Sequence, residues 1–306
     1  MADRIVVWRF IDGKAGHDNQ SSGLLAALGE QVSIDQHQLQ AATCRPPLTS
    51  FITHRIPFGQ DLPDPDLLVG AGHATHLPML AARRARGGRT VVLMKPTLPT
   101  SLFDFCIIPA HDRPPVKDNI LVTRGVLNRI NNHADKDGGS GLILVGGPSA
   151  HVTWSSAEIV RQIKSVLEQT PEFGWILATS RRTPPDFVEM LAEFQGRQLA
   201  IVPVEQTGPD WLPDKLAAAA RVWVTADSVS MVYEALTSGA AVGLFSVPYR
   251  RADDRLRQGI EELLKERLVT GFADWQQGGG LRQPAVPFDE AHRAANWILK
   301  QWTDKS

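Results

Sequence analysis

The chain has 306 residues, a formal net charge of -1 and a hydrophobic content of 43%. Domains hold roughly 100–200 residues, so two are expected, each with apolar side chains enough for a core. A pI near 6.8 excludes nucleic-acid binding through bulk positive charge, and Cys44 and Cys106 alone make no disulfide framework, which makes a reducing compartment the expectation. The start MADRIVVWRF reads as a strand, because it lacks the apolar stretch of about 7–15 residues and the cleavage site of a leader. No run reaches the about 18–20 apolar residues of a membrane span. A cytoplasmic protein is expected, one compatible with peripheral contact at the inner membrane face.

Taken in chain order, the pattern is strand, turn, helix, repeated. Ile5–Phe10 is a strand that stops at Asp12-Gly13-Lys14-Ala15-Gly16, and a helix follows over Asn19–Leu28. Val32–Leu39 alternates as a second strand. Thr43–Pro65 is proline-rich and without period. Leu67–Val69 is a buried strand ending at Gly70-Ala71-Gly72-His73, followed by a helix over Leu77–Arg84 and strands over Thr90–Met94 and Phe103–Ile108. The polar, glycine-rich Asn131–Gly141 is expected to be a linker. The rhythm then restarts with strands over Leu142–Val145, Trp175–Thr179, Leu199–Val202, Arg221–Thr225 and Ala241–Phe245. Helices are expected between them over Ser155 or Ser156 to Glu168, Pro185–Phe194, Leu212–Ala220 and Val229–Ser238, with a closing helix over Asp289–Trp302. Strands alternating with helices at this spacing predict parallel sheets covered on both faces. The fold class is therefore α/β, with two Rossmann-like domains: residues 1–135, then 141–287, then a closing segment over 288–306. Ligands of such sheets bind beyond the carboxyl ends of the strands.

Four loops at such ends carry candidate chemistry. Asp227-Ser228-Val229-Ser230-Met231 ends a strand and opens a helix, where unpaired N–H groups and partial positive charge suit a pyrophosphate. Glu234 lies one turn beyond Ser230, placed to accept both hydroxyls of a ribose. A plain Asp/Ser helix cap with a solvated Glu234 accounts for the same residues. Gly146-Gly147-Pro148-Ser149 lets backbone approach a phosphate closely, although a tight turn needs glycine anyway. In Ser180-Arg181-Arg182-Thr183, arginine forks match phosphate oxygens. Alternation aims the two arginines differently, so one is expected on ligand, with Arg181 favoured, and the other in a salt bridge.

The fourth loop is Asp12-Gly13-Lys14-Ala15-Gly16-His17-Asp18. Lys14 brings positive charge and His17 takes a proton near neutral pH. Neither GxxxxGK[ST] nor GxGxxG occurs, and a surface loop capped by Asp18 or Asn19 is the plain alternative. Gly72-His73 with Thr75 and His76, Lys95-Pro96, and His111-Asp112 also sit at strand ends; His73 and His111 read as cleft-lining groups. No metal site is expected from these histidines, which lack a carboxylate or cysteine at ligand spacing. Arg83-Arg84 and Arg250-Arg251 read as solvated faces, and no GxSxG occurs.

The stretches DGKAGHDNQ (12–20), GAGHATH (70–76), MKPTLP (94–99), FDFCIIPAHD (103–112), VGGPSAHVTW (145–154), ATSRRTPPDF (178–187) and VTADSVSMVYEALTSGAAVGLF (224–245) together resemble the Elm-type mitochondrial fission family. Bacterial members of that family are labelled nucleoside-diphosphate-sugar epimerases. The last stretch also looks like the nucleotide-sugar site of GT-B glycosyltransferases of the MurG type. There, a glycine-rich first-domain loop with a histidine faces the acceptor, and Gly13, Gly16 and His17 occupy a comparable place; the longer glycine run of MurG is absent here.

The resemblance implies a GT-B architecture, two domains facing a cleft, with the last helix crossing back to the first. It implies a metal-independent glycosyltransferase with a nucleotide diphosphate sugar as donor and no further cofactor. Backbone N–H groups near Gly147 and Ser228–Ser230, with Arg181 or Arg182, would stabilise the departing diphosphate. His17 would be the base, with Asp12 and Asp18 as alternatives. The fission role of eukaryotic relatives implies instead a non-catalytic adaptor that recruits a dynamin-like protein. A MurG-like epimerase is the third possibility and needs an acid on each side of the sugar. An epimerase of the short-chain-dehydrogenase kind does not fit, because the N-terminal GxxGxxG is missing and Tyr233 is followed by Glu234-Ala235-Leu236-Thr237 instead of a YxxxK pair.

Overall fold

A computed structural model of the protein describes residues 4–131, 136–196 and 198–303. Residues 132–135 of the expected linker, the expected domain end at residue 135, and the last three residues of the expected closing segment lie outside the described residues. The chain divides into two compact units, Met1–Arg129 with Asp289–Ser306, and Ile130–Phe288.

The first unit is built on six parallel strands: β1 (Arg4–Ile11), β2 (Ser33–Gln40), β3 (Leu67–Ala71), β4 (Arg89–Leu93), β5 (Phe105–Pro109) and β6 (Ile120–Thr123). Every residue of β3 and β5 is buried, as a strand covered on both faces requires. The short edge strand β6 has no counterpart in the sequence reading. Helix α1 (Ala15–Gly29) begins four residues before the expected Asn19. Gly13 turns the chain at φ +83 and Lys14 is the extended N-cap, so Gly16, His17 and Asp18 stand in the first turn of a helix and not in a loop. Leu24, Leu25 and Leu28 of α1 pack on Ile5, Val7, Leu67 and Val69. A short α2 (Ser50–Thr53) interrupts the proline-rich segment, and α3 (His76–Arg86) covers the opposite face with Met79, Ala81 and Ala82. The strand order is β2-β1-β3-β4-β5-β6. The chain leaves β1 in one direction and then crosses to the other side of it, which makes the β1/β3 boundary the switch point where open sheets bind ligands.

The second unit contains β7 (Asp137–Leu144), α4 (Ser156–Gln169), β8 (Gly174–Ala178), β9 (Leu199–Val202), α5 (Trp211–Ala218), β10 (Ala219–Thr225), α6 (Val229–Thr237), β11 (Ala241–Phe245), α7 (Arg255–Lys265), β12 (Thr270–Gly271) and α8 (Phe272–Gln276). Strand β7 starts inside the segment expected to be linker, because Asp137 pairs with Ala219 of β10. The expected helix over residues 185–194 is two 3-10 stretches, Pro185–Phe187 and Glu189–Phe194, which anchor Phe187 and Leu191 in the core. Ser155 caps α4 as expected, accepting from the Glu158 N–H. Trp223 is the hub of the core, stacked on Phe245 at 4.9 Å between centroids and edge-on to Trp275 at 5.3 Å. The order β12-β11-β10-β7-β8-β9 puts the switch point between β7 and β10.

The last helix, α9 (Glu290–Thr303), belongs to the first unit and packs on α1. Ala294, Ala295 and Ile298 are fully buried. Trp297 meets Phe105 edge-on at 5.5 Å, and the Arg89 guanidinium lies over the Trp302 ring. Polar contacts hold the same face: His292 Nε2 to Glu30 Oε2 at 2.7 Å, His292 Nδ1 to Asp289 Oδ2 at 2.6 Å, and the Arg124 N–H donating to Glu290. The expected return of the closing helix to the first domain is therefore present. Among the described residues no helix is long and apolar enough to cross a membrane.

Candidate functional site

The loops at the two switch points hold the residues singled out above. At the first, Asp12 follows β1 and its Oδ2 lies 2.9 Å from His17 Nδ1. The Asp12 side chain is 4% exposed and that of His17 17%. Burial alone would raise the Asp12 pKa, but hydrogen bonds from His17 and the Lys14 backbone, with the charges of both residues, hold it below the ordinary value. An ionised Asp12 only accepts, so the proton of a neutral His17 ring sits on Nδ1 and the Nε2 lone pair is available. Gly72, after β3, closes this arrangement. Its φ is +85, and a Cβ there would lie 2.5 Å from the His17 ring and 2.8 Å from Asp12 Oδ2. Only glycine fits that position, because backbone conformation and close approach both demand it.

Asp18, the alternative base, has another task. The buried Arg9 on β1 bonds the Asp18 carboxylate at 2.6 Å and its carbonyl at 2.7 Å through Nη2, and Ser21 through Nε. Burial lowers the Arg9 pKa, and the Asp18 charge and hydrogen bond oppose that. The assignment of Asp18 as a base is corrected on this ground: it is the counter-ion of a buried guanidinium. Lys14, Gly13 and Gly16 are exposed beside the pair. His76 is buried against Phe103 and its pKa falls to about 4 through desolvation and the neighbouring His73, which leaves it a neutral core residue.

At the second switch point the glycines serve protein groups first. The Gly146 N–H donates to Thr225 Oγ1 at 2.8 Å and the Gly147 N–H to Asp227 Oδ2 at 3.1 Å. The expectation that these amides face a phosphate is corrected: both are occupied. The glycines are needed because a Cβ on Gly146 would meet Asp227 at 2.2 Å and one on Gly147 the Arg182 carbonyl at 2.1 Å. Ser180 and Thr183 hydroxyls both donate to the Gly146 carbonyl, at 2.9 and 2.6 Å, so they tie two loops together instead of standing open to a ligand. Ser149 accepts from the His151 N–H. Arg182 takes the salt bridge, Nη2 to Asp227 Oδ2 at 2.8 Å, and also donates to the Gly147 carbonyl. Arg181 is exposed. Tyr249, missed by the sequence reading, donates to the Ala226 carbonyl at 2.6 Å; burial, then the Asp227 charge, pushes its pKa up and keeps the proton on it.

Helix α6 opens beside this knot. Val232 is the first residue whose N–H finds an intrahelical acceptor, the Ser228 carbonyl, which leaves the Val229, Ser230 and Met231 N–H groups without one. Ser228 is the N-cap residue, yet its side chain makes no cap hydrogen bond, so the plain-cap alternative fails and its hydroxyl stays available. Ser230 is exposed, Met231 and Glu234 half-buried, and Glu234 follows Ser230 by one turn. Asp227 Oδ1 is buried and lacks a hydrogen-bond partner among the described residues. Available donors, a buried acceptor and an exposed arginine thus surround the carboxyl end of β10. Among the described residues no group of three or more His, Cys, Asp or Glu gathers as metal ligands.

Two Rossmann-like units, each with its candidate site at a sheet switch point, and a last helix returned to the first unit define a GT-B-type fold. Solved structures share it. The UDP-GlcNAc 2-epimerase of Methanocaldococcus jannaschii aligns with a TM-score of 0.59 at 13% identity, covering 98% of this chain and 99% of that one. MurG of Acinetobacter baumannii aligns with a TM-score of 0.52 at 13% identity, covering 98% and 99%. The chain belongs to the mitochondrial fission ELM1 family, whose sequence pattern matches residues 15–302. A relative in Rickettsia prowazekii (strain Madrid E), the uncharacterized protein RP120, is 23% identical over 87% of this chain and 90% of its own length.

Proposed function

We propose that the protein is a glycosyltransferase that takes its sugar from a nucleotide diphosphate donor without needing a metal. The observation that carries this is the Asp12–His17 pair, 2.9 Å apart, beside a Gly72 that no residue with a side chain could replace without overlapping it. It has the form of a general base whose partner fixes the tautomer. The acceptor hydroxyl gives its proton to His17 Nε2 as its oxygen forms a bond to the anomeric carbon. The bond from that carbon to the diphosphate oxygen breaks, and the nucleoside diphosphate leaves with the electron pair. The first-turn N–H groups of α6, the Ser228 and Ser230 hydroxyls and Arg181 stabilise the departing charge. Glu234 accepts the ribose hydroxyls. The shared fold of the M. jannaschii UDP-GlcNAc 2-epimerase makes UDP the first nucleotide to try. Calorimetry of UDP and GDP with chelator present tests the proposal, and no saturable binding of any nucleoside diphosphate would sink it.

A second reading, an adaptor that recruits a protein, has one structural support. Leu48 and Ile52, four residues apart at α2, are 84% and 81% exposed. Partner capture without nucleotide, lost in Leu48→Asp/Ile52→Asp and unchanged in Gly72→Ala, would favour it.

A further inference from the structure

Charged side chains stand at both edges of the first sheet. At the amino edge Arg4 meets Asp35 at 2.6 Å, Arg83 meets Asp104 at 2.8 Å and Arg86 meets Asp64, while Arg89 and Lys117 donate to neutral acceptors, the Gln301 carbonyl and Thr100 Oγ1. At the carboxyl edge, two lysines and a histidine stand in successive loops with no carboxylate in an ion pair to them. Lys14 follows β1 and His73 follows β3, both exposed, and their side chains make no hydrogen bond or ion pair among the described residues. Lys95 follows β4, exposed, and its Nζ donates only to the neutral Asp112 carbonyl at 3.1 Å. The side chain of Asp12, two residues before Lys14, is buried and held by His17, and Asp18, one turn on, is held by Arg9.

The loops are built to crowd that edge. Gly13, Gly72, Met94 and Arg113, one after each of β1, β3, β4 and β5, have φ of +83, +85, +69 and +47. Arg113 ends a short 3-10 turn (Ala110–Asp112), where a left-handed residue is ordinary, but for Met94, directly after β4, the conformation carries strain of the kind found at working sites. Contacts run along the row: Gly72 against His17, Thr97 on His76, Lys95 on Asp112. Strands β1, β3 and β4 are adjacent, so at about 4.8 Å per strand their loops span roughly 10 Å, the reach of a phosphate or diphosphate group and the sugar or alcohol it carries.

We infer that this edge holds an anionic acceptor, a molecule bearing a phosphate or diphosphate that sits on Lys14, His73 and Lys95 with its reactive hydroxyl toward His17. The inference rests on the assignment of His17 as the base, and it supplies the acceptor class. The missing counter-charge comes from the ligand, and Lys14 and Lys95 act as point charges that tolerate one ester or two.

The test is a titration of the full chain with inorganic pyrophosphate, saturating UDP being present to occupy any phosphate site on the second unit. It is read from the His73 imidazole resonances and repeated with orthophosphate, which separates a diphosphate from a monophosphate preference. Saturable movement of His73 is expected, with affinity reduced at least about tenfold in Lys14→Ala/Lys95→Ala and retained in Lys95→Arg. No movement of His73, or equal affinity in the double variant, overturns the inference. A His73 response with no UDP binding would support the anion site while striking the nucleotide donor. UDP binding with a silent His73 would strike the anion site alone.

Discussion

Asp12 Oδ2 and His17 Nδ1 stand 2.9 Å apart, and Gly72 of the neighbouring loop lies so close that a side chain there would overlap both. Gly72→Ala would push a methyl group into the His17 ring at a backbone φ that alanine tolerates poorly. The variant is expected to lose about 1–3 kcal/mol of stability by chemical denaturation. Sugar transfer should stop, while nucleoside diphosphate binding persists, because the proposed nucleotide site is on the other unit. Transfer at the parent rate in a folded Gly72→Ala would show that the pair is not the base.

Arg181 and Arg182 are neighbours in sequence with different roles. Arg182→Ala leaves the buried Asp227 carboxylate without its ion pair. Because Arg182 is partly exposed, about 1–3 kcal/mol is expected, below the full cost of a buried pair. Arg181→Ala should leave stability within about 0.5 kcal/mol of the parent and weaken UDP. Thermal melts beside calorimetry separate the two, and an unchanged UDP affinity in Arg181→Ala would remove that residue from the site.

Ser228 sits at the N-cap of α6 without capping it. Ser228→Ala should therefore cost less than the roughly 1 kcal/mol of a lost cap, yet weaken UDP more than uridine. Glu234→Ala should weaken UDP at least about tenfold, since charge-assisted hydrogen bonds contribute about 1.5–3 kcal/mol each. A 2′-deoxy nucleotide should lose little further affinity in that variant. Parent-like binding by both variants would place the nucleotide elsewhere.

His292 joins α9 to α1 through Glu30 and to Asp289 beside it. Burial lowers its pKa, but the Glu30 hydrogen bond and the Asp289 and Glu30 charges outweigh that, and the net shift is upward from 6.5. The folded state therefore binds this proton more tightly. Its stabilisation is complete below the unfolded value of 6.5 and is lost as pH rises through the higher folded value. The three side chains are partly exposed, so solvent screening keeps the effect modest, up to about 1 kcal/mol. His292→Gln should flatten the fall in Tm on going from mildly acidic to mildly alkaline buffer. An identical slope in the variant would assign that pH dependence to other groups.

The parallel α/β pattern, the strand-end loops and the closing helix were all legible in the sequence. Buried strands such as LLVGA and FCIIP are apolar throughout, and the closing helix repeats Ala294, Ala295 and Ile298 at helical spacing. Both readings depend only on near neighbours in the chain. Strand β6 leaves no signal, since ILVT is too short to show a period, whereas α7, absent from the expected elements, does carry Leu256, Ile260, Leu263 and Leu264 at helical spacing. The site divided along the same line. Residue types at strand ends named Asp12, His17, Arg181, Arg182, Asp227 and Ser228. Only the packing of chains distant in sequence decided which groups remain available. The Gly146 and Gly147 amides are taken by Thr225 and Asp227, nearly eighty residues away, and Asp18 is drawn to a buried Arg9. A buried donor or charge must find a partner wherever the fold brings one within reach, and no local pattern records which partner that is.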